Sequence, residues 1–270
     1  MTTDLSIAEA PPFQLAKWYL DCVSESGDGA ILYLAELRWR KLHLRYANRL
    51  LFLGGRITSK TSIRHCELPH ASGDEIRVTI PHLDTDGVWR RAAERAGATV
   101  FAGQEGEVVW NSLHPSSNVR LRVEANEIEG RGYAEHLQMT IPPWKLPLTE
   151  LHWGRFISQS THVVWIDWRG PYRFQLLERG GARENARLIS ETEIQFAQPD
   201  TVLSLDRGFV LRDGNLGDTV FPALSPVVKL LPSSLFGVHE CKWRSRGVLR
   251  QRDRSDEGWA IHEVVRWQSP

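Results

Sequence analysis

Between residues 140 and 147 the chain reads Thr-Ile-Pro-Pro-Trp-Lys-Leu-Pro, and this stretch constrains the fold more than any other. Each proline removes a backbone donor and fixes φ, so the segment is excluded from the interior of a sheet and reads as a crossover. On both sides of it lie short alternating or β-branched runs: 30–35 (Ala-Ile-Leu-Tyr-Leu-Ala), 75–80 (Glu-Ile-Arg-Val-Thr-Ile), 107–110, 119–123 and 162–168 (His-Val-Val-Trp-Ile-Asp-Trp). These predict strands. Turn chemistry separates them, with Gly27-Asp28-Gly29, Ala71-Ser72-Gly73-Asp74, His114-Pro115-Ser116-Ser117-Asn118 and Arg169-Gly170-Pro171. The pattern predicts an all-β chain with few short helices, built as two antiparallel barrel or sandwich halves over residues 13–147 and 148–270.

Two segments are read against that background. Asp86 to Gly97 is the clearest helix candidate, with Asp86 as cap, Arg, Glu and Ala as helix formers, and Gly97 as stop. Glu36 to Arg49 mixes helix formers with an alternation of Trp39, Leu42, Leu44 and Tyr46, and is read as strand. No tandem repeat in the sequence proves a duplication.

Composition excludes several classes of function. Lys plus Arg and Asp plus Glu balance at 33 each, which removes the basic footprint of a nucleic-acid binder. No stretch offers the ~20 apolar residues of a spanning helix, and the start lacks a basic, then apolar, leader, so the cytoplasm is the expected location. Three cysteines, Cys22, Cys66 and Cys241, are odd in number and share no ligand spacing, which predicts reduced, buried thiols. The ten histidines form no metal pattern, and no phosphate loop or serine elbow is present, so no metal and no cofactor is assigned. Eleven tryptophans stand out, since each brings a large ring and an N–H that needs a partner. They suit a packed β core or an apolar, π-rich pocket.

The densest chemistry is Gly130-Arg131-Gly132-Tyr133-Ala134-Glu135-His136, followed by Glu150-Leu151-His152-Trp153-Gly154-Arg155. On an extended chain Tyr133 and Glu135 share a face and His136 points to the other. A carboxylic acid beside a phenol inside an apolar barrel has its pKa raised by desolvation and becomes a proton donor near neutral pH. The competing reading makes the two glycines a bulge or turn, with Glu135 and His136 solvated. Arg155 is read as a bidentate clamp between the halves, with Glu135 or Asp167 as acceptor, and His152 as structural beside it.

Gly-x-Gly-Tyr-x-Glu-His followed by His-Trp-Gly-Arg resembles a pattern of the hydroxyneurosporene synthase (carotenoid 1,2-hydratase) family, which includes AttH-like proteins. Trp18-Tyr19-Leu20-Asp21 resembles the family's opening strand, Gly106 to Pro115 its Gly-x-x-x-Trp…Pro segment, and Gly258 to Trp267 its closing strand. Glu135 stands where the family carries Asp, and Leu137-Gln138 where Asn and Gly are expected. In the hydratase pattern a His-x-Trp pair precedes the acid, whereas Val108-Val109-Trp110 keeps the Trp alone.

The resemblance implies two lipocalin-like halves and cofactor-independent chemistry on a hydrophobic isoprenoid or polyene: hydration, cyclisation or isomerisation. It implies Glu135 as the acid, with Tyr133 and His136 as its catalytic companions. Trp110, Trp144 and Trp153 are the expected aromatic walls for a carbocation. The expected partner is a hydrophobic small molecule, collected through peripheral contact with a membrane. The alternatives are a lipophilic ligand-binding protein without catalysis, and a structural protein whose pocket is filled by its own side chains.

Overall fold

The computed structural model describes residues 12–64, 66–206, 208–219 and 236–267. The first half contains β1 (Phe13–Val23), β2 (Gly29–Trp39), β3 (Leu42–Leu53), β4 (Arg56–Ser62), β5 (His70–Ser72), β6 (Glu75–Ile80), β7 (Thr85–Arg91), β8 (Ala96–Gly103), β9 (Gly106–Val123) and β10 (Asn126–Met139). The second contains β11 (Glu150–Ser158), β12 (His162–Arg169), β13 (Phe174–Arg179), β14 (Ala182–Glu184), β15 (Ala186–Ile189), β16 (Glu193–Phe196), β17 (Thr201–Leu205), β18 (Phe209–Asn215), β19 (His239–Gln251) and β20 (Arg254–Arg266). A four-residue helix, α1 (Leu216–Thr219), follows β18. No helix among the described residues is long and apolar enough to cross a membrane.

The first sheet runs β4-β3-β2-β1-β10-β9-β7-β6-β5 with β8 on β9; the second runs β14-β13-β12-β11-β20-β19-β17-β16-β15 with β18 on β19. Strand for strand this is one antiparallel topology used twice, a duplication that the residue identities do not carry. The chain is therefore an all-β protein of two lipocalin-like halves. The Pro-rich segment crosses from β10 to β11, making a single 3₁₀ turn at Pro143–Lys145.

Three apolar clusters explain why the central strands read as unbroken apolar runs. Leu20, Leu32, Ile76, Trp89 and Leu121 pack within the first half, and Phe156, Trp165, Leu177, Phe196 and Leu203 within the second. The third cluster draws on both halves, joining Tyr19, Tyr33, Trp110 and Tyr133 to Trp153, Val164, Ile166 and Trp168. A strand such as β2 has one side in its own half and the other in the seam, so seven consecutive residues are buried. The thiols of Cys22, Cys66 and Cys241 are free and buried.

Two expectations are corrected. Asp86 to Gly97 is not a helix but β7, a short break and the start of β8. Thr85, Gly87 and Trp89 are buried in alternation with Asp86 and Arg90, and the Trp89 indole donates to the Asp21 carbonyl at 2.7 Å. Tertiary packing of that ring outweighs a helix preference worth only tenths of a kcal/mol per residue. His114 to Asn118 is not a turn but lies inside β9. There β9 exchanges neighbours, pairing with β8 up to Ser112 and with β7 from Ser117 onward, so Pro115 falls in the gap where its missing N–H breaks no ladder. The segment from Glu36 to Arg49 is strand, as read, with a tight turn at Arg40-Lys41.

Candidate active site

Tyr133 and Glu135 alternate along β10 onto the seam face. The strand is irregular there, with register shifts against β9 between Gly132 and Ala134 and between Ala134 and Glu135. The bulge and the burial thus coexist. Gly132 permits the local approach of β10 to β1, since a Cβ on it would lie 2.0 Å from the Asp21 carbonyl oxygen. Across this pairing Tyr19 stands opposite Glu135.

Glu135 is buried, and three neutral donors converge on one of its oxygens. Oε2 accepts from the Trp110 indole at 2.6 Å, the Tyr133 hydroxyl at 2.8 Å and the Trp153 indole at 3.2 Å. Trp153 comes from β11, so the second half completes the site. Oε1 has no hydrogen-bond partner among the described residues. Burial pushes the Glu135 carboxyl above its ordinary pKa; the donors on Oε2 and the positive charge of Lys17 oppose that rise without cancelling it. Burial also drives the Tyr133 hydroxyl well above its usual value, with Glu135 adding to the effect. Glu135 therefore keeps its proton to higher pH than an exposed glutamate does, and Oε1 is the oxygen left to carry it.

Glu135 borders a cavity of about 190 Å³ in the seam, with a largely apolar wall. Trp110, Leu137 and Met139 face it from the first half, and Leu151, Trp153, Ile166 and Trp168 from the second. The site therefore lies between the two halves and not inside either barrel, because the inward faces are filled by their own apolar clusters. Its polar rim includes Lys17 and Glu263. Behind Glu263, Lys242 is ion-paired to it and, at 3.1 Å, to Glu240, which also holds Arg212 at 3.0 Å. Lys242 lies beneath the Tyr19, Tyr33 and Trp153 rings, and burial pulls its ammonium down to about 8 against the pull of Glu240.

A second buried carboxylate stands beside the first. Asp21 accepts the Arg155 guanidinium at both oxygens, 2.9 Å from Nε and 2.7 Å from Nη2, and Arg155 Nη1 donates to the Trp259 carbonyl at 2.7 Å. The Tyr19 hydroxyl and the Tyr133 amide complete its shell at 3.0 and 3.2 Å. Arg155 thus ties the halves through Asp21; neither Glu135 nor Asp167 is its acceptor, and Asp167 is bound by Arg169.

The other sequence-derived residues are dispersed. His136 lies tilted against Trp18, ring centroids 4.7 Å apart, on the face of β10 opposite Glu135, and burial lowers its pKa. Trp144 sits edge-on to Phe13 and Trp39, outside the cavity wall. His152 hydrogen-bonds Glu150 at 2.7 Å, near Arg169, on the other face of β11 from Trp153. No group of three or more His, Cys, Asp or Glu side chains among the described residues is placed to hold a metal. Sequence reading missed Lys17, Tyr19, Asp21 and Glu263 as parts of the site. A signal existed for two of them: Tyr19-x-Asp21 repeats the Tyr133-x-Glu135 spacing on the neighbouring strand.

Fold and site define the class as a two-half lipocalin-like β protein with a buried acid at the seam. Among solved structures it is similar to kievitone hydratase from Nectria haematococca, with 7% identity and a TM-score of 0.56 over 93% of this chain and 88% of that one. It is also similar to CghA with Sch210972, with 10% identity and a TM-score of 0.57 over 95% and 89%. A protein assigned as AttH from Nitrosomonas europaea matches at 8% identity and a TM-score of 0.53 over 93% and 92%. At such identities the likeness is one of fold. No protein-family model and no curated protein sequence matches the chain.

Proposed function

We propose that this protein is a cofactor-independent enzyme of the hydratase or cyclase type, in which Glu135 protonates a carbon–carbon double bond of an isoprenoid-like substrate. The observation that carries this reading is the hydrogen bonding of Glu135: neutral donors occupy Oε2, and Oε1 is left for a proton at the border of an apolar cavity. The likeness to a hydratase supports it by analogy of fold. In the proposed step the π electrons take the Oε1 proton, and a tertiary cation forms beside the indole faces of Trp110 and Trp153. Water then adds and returns a proton to the Glu135 carboxylate, or a second double bond of the substrate attacks the cation and closes a ring before a proton is lost. Either route regenerates the acid.

The cavity is below the ~300–1,000 Å³ usual for whole drug-sized ligands. It suits the reactive end of a chain, with the rest of a longer molecule lying outside. Its largely apolar wall also suits simple storage of a lipophilic molecule, and the same experiment separates the two. Wild type and Glu135→Gln are incubated with acyclic terpenoids and prenylated phenols, and the organic extracts are read by mass spectrometry. A hydrated or cyclised product formed by wild type and lost in Glu135→Gln supports acid catalysis. Unchanged compound copurifying equally with both proteins replaces it with a binding role.

A further inference from the structure

The charges around the cavity do not balance in the same way on its two sides. Across the seam, Lys242 and Arg212 face Glu240 and Glu263, two cations against two carboxylates in direct contact. On the first half, Lys17 points to the cavity from β1, and its ammonium has no ion-pair or hydrogen-bond partner among the described residues; its contact is the Tyr33 ring, 4.9 Å from the centroid. When Glu135 is protonated, as an acid catalyst must be, Lys17 is the uncompensated charge at this cavity. A half-buried ammonium beside apolar walls is costly to leave without an anion.

We propose that Lys17 anchors an acidic oxygen of the substrate, a carboxylate, phenolate or enolate, and so selects amphipathic unsaturated acids over neutral hydrocarbons. Lys17 precedes Tyr19 by two residues on β1, and Tyr19 lies opposite Glu135, so the anchor and the acid are offset by about 7 Å along the strands. That offset places an acidic head on Lys17 a few bonds from a double bond at Glu135. Tyr19 and Tyr33 flank the anchor on β1 and β2, and the opposed Lys242–Glu263 pair is self-neutral, so neither offers an anion in the substrate's place. Anion binding also offsets the field by which Lys17 lowers the Glu135 pKa, which favours the protonated acid once substrate is seated.

This deepens the proposed function and rests on it for calling the bound molecule a substrate, so the test reads binding separately from turnover. Geranic acid and its methyl ester are titrated calorimetrically into wild type, Lys17→Met, Lys17→Arg and Glu135→Gln. Wild type binds the acid at least about tenfold more tightly than the ester, as a charge-assisted hydrogen bond requires. Lys17→Met loses that preference with ester binding unchanged, while Lys17→Arg and Glu135→Gln keep it. The anchor is overturned if wild type binds ester and acid alike, if it binds no acid at millimolar concentration, or if Lys17→Met keeps the preference. A preserved preference with no product from any terpenoid supports the anchor and refutes the acid chemistry alone.

Discussion

Asp21 and Glu135 are two carboxylates in one seam, on neighbouring strands, each paired with a tyrosine two residues away, and they are held in opposite ways. Asp21 meets a guanidinium at both oxygens. Burial alone would work against the Arg155 charge, and Asp21 outweighs that, holding Arg155 above its ordinary value. Glu135 meets indole and phenol donors, which stabilise an oxygen without supplying a full charge. The difference lies in the partner and not in burial: a paired carboxylate becomes a joint between halves, and one surrounded by neutral donors becomes a reservoir for a proton.

The comparison breaks most plainly if the two residues fail to separate rate from stability. Glu135→Gln should cost ~10²–10⁴ in turnover, the usual contribution of a positioned acid, while its urea midpoint stays close to wild type. Asp21→Ala should lose about 3–5 kcal/mol in the same denaturation, because it strands the buried Arg155. Adding Arg155→Met to Asp21→Ala should recover part of that loss. Equal destabilisation by Glu135→Gln and Asp21→Ala would mean that both carboxylates are joints.

A smaller effect tests the field acting on Glu135. In the proposed chemistry its protonated form is the active one, so activity should be present below its pKa and fade as pH rises through it. Lys17 lowers that pKa, and Lys17→Met must therefore move the alkaline limb of kcat to higher pH. The measurement is a pH profile at saturating neutral ester substrate, where loss of the acid anchor does not intrude. A limb that stays in place, or moves to lower pH, removes Lys17 from the electrostatics of Glu135.

Much of this was legible in the sequence because it depends on local alternation. The placement of Tyr133 and Glu135 on one face and His136 on the other follows from a two-residue period alone. The crossover at 140–147 follows from its prolines. What period and turn chemistry cannot carry is the partner of a side chain 134 residues away, as Asp21 is from Arg155. Arg155 has several acidic candidates in sequence and one in space, Asp21. Trp144 reads like Trp110 or Trp153 in composition, yet the 3₁₀ turn that bears it aims the ring at Phe13 and Trp39. The Asp86–Gly97 segment shows the same limit from the other direction, since its helix-favouring residues are overruled by the single buried ring of Trp89. The duplicated topology is likewise invisible because alternating apolar positions tolerate many exchanges, so strand order persists where identities do not.

The finest test compares one missing hydroxyl at each carboxylate. Tyr133→Phe and Tyr19→Phe both delete a phenolic donor of a buried acid and keep the ring, at a cost of about 1 kcal/mol each in stability. At Glu135 the Tyr133 hydroxyl lowers the pKa, so its removal should raise it and carry the alkaline limb of activity upward. At Asp21 the guanidinium remains after Tyr19→Phe, and the limb should not move. The two pH profiles thus ask whether the limb belongs to Glu135. If Tyr19→Phe shifts it and Tyr133→Phe does not, the titrating acid is not the one held by the indoles, and the roles of the two carboxylates must be exchanged.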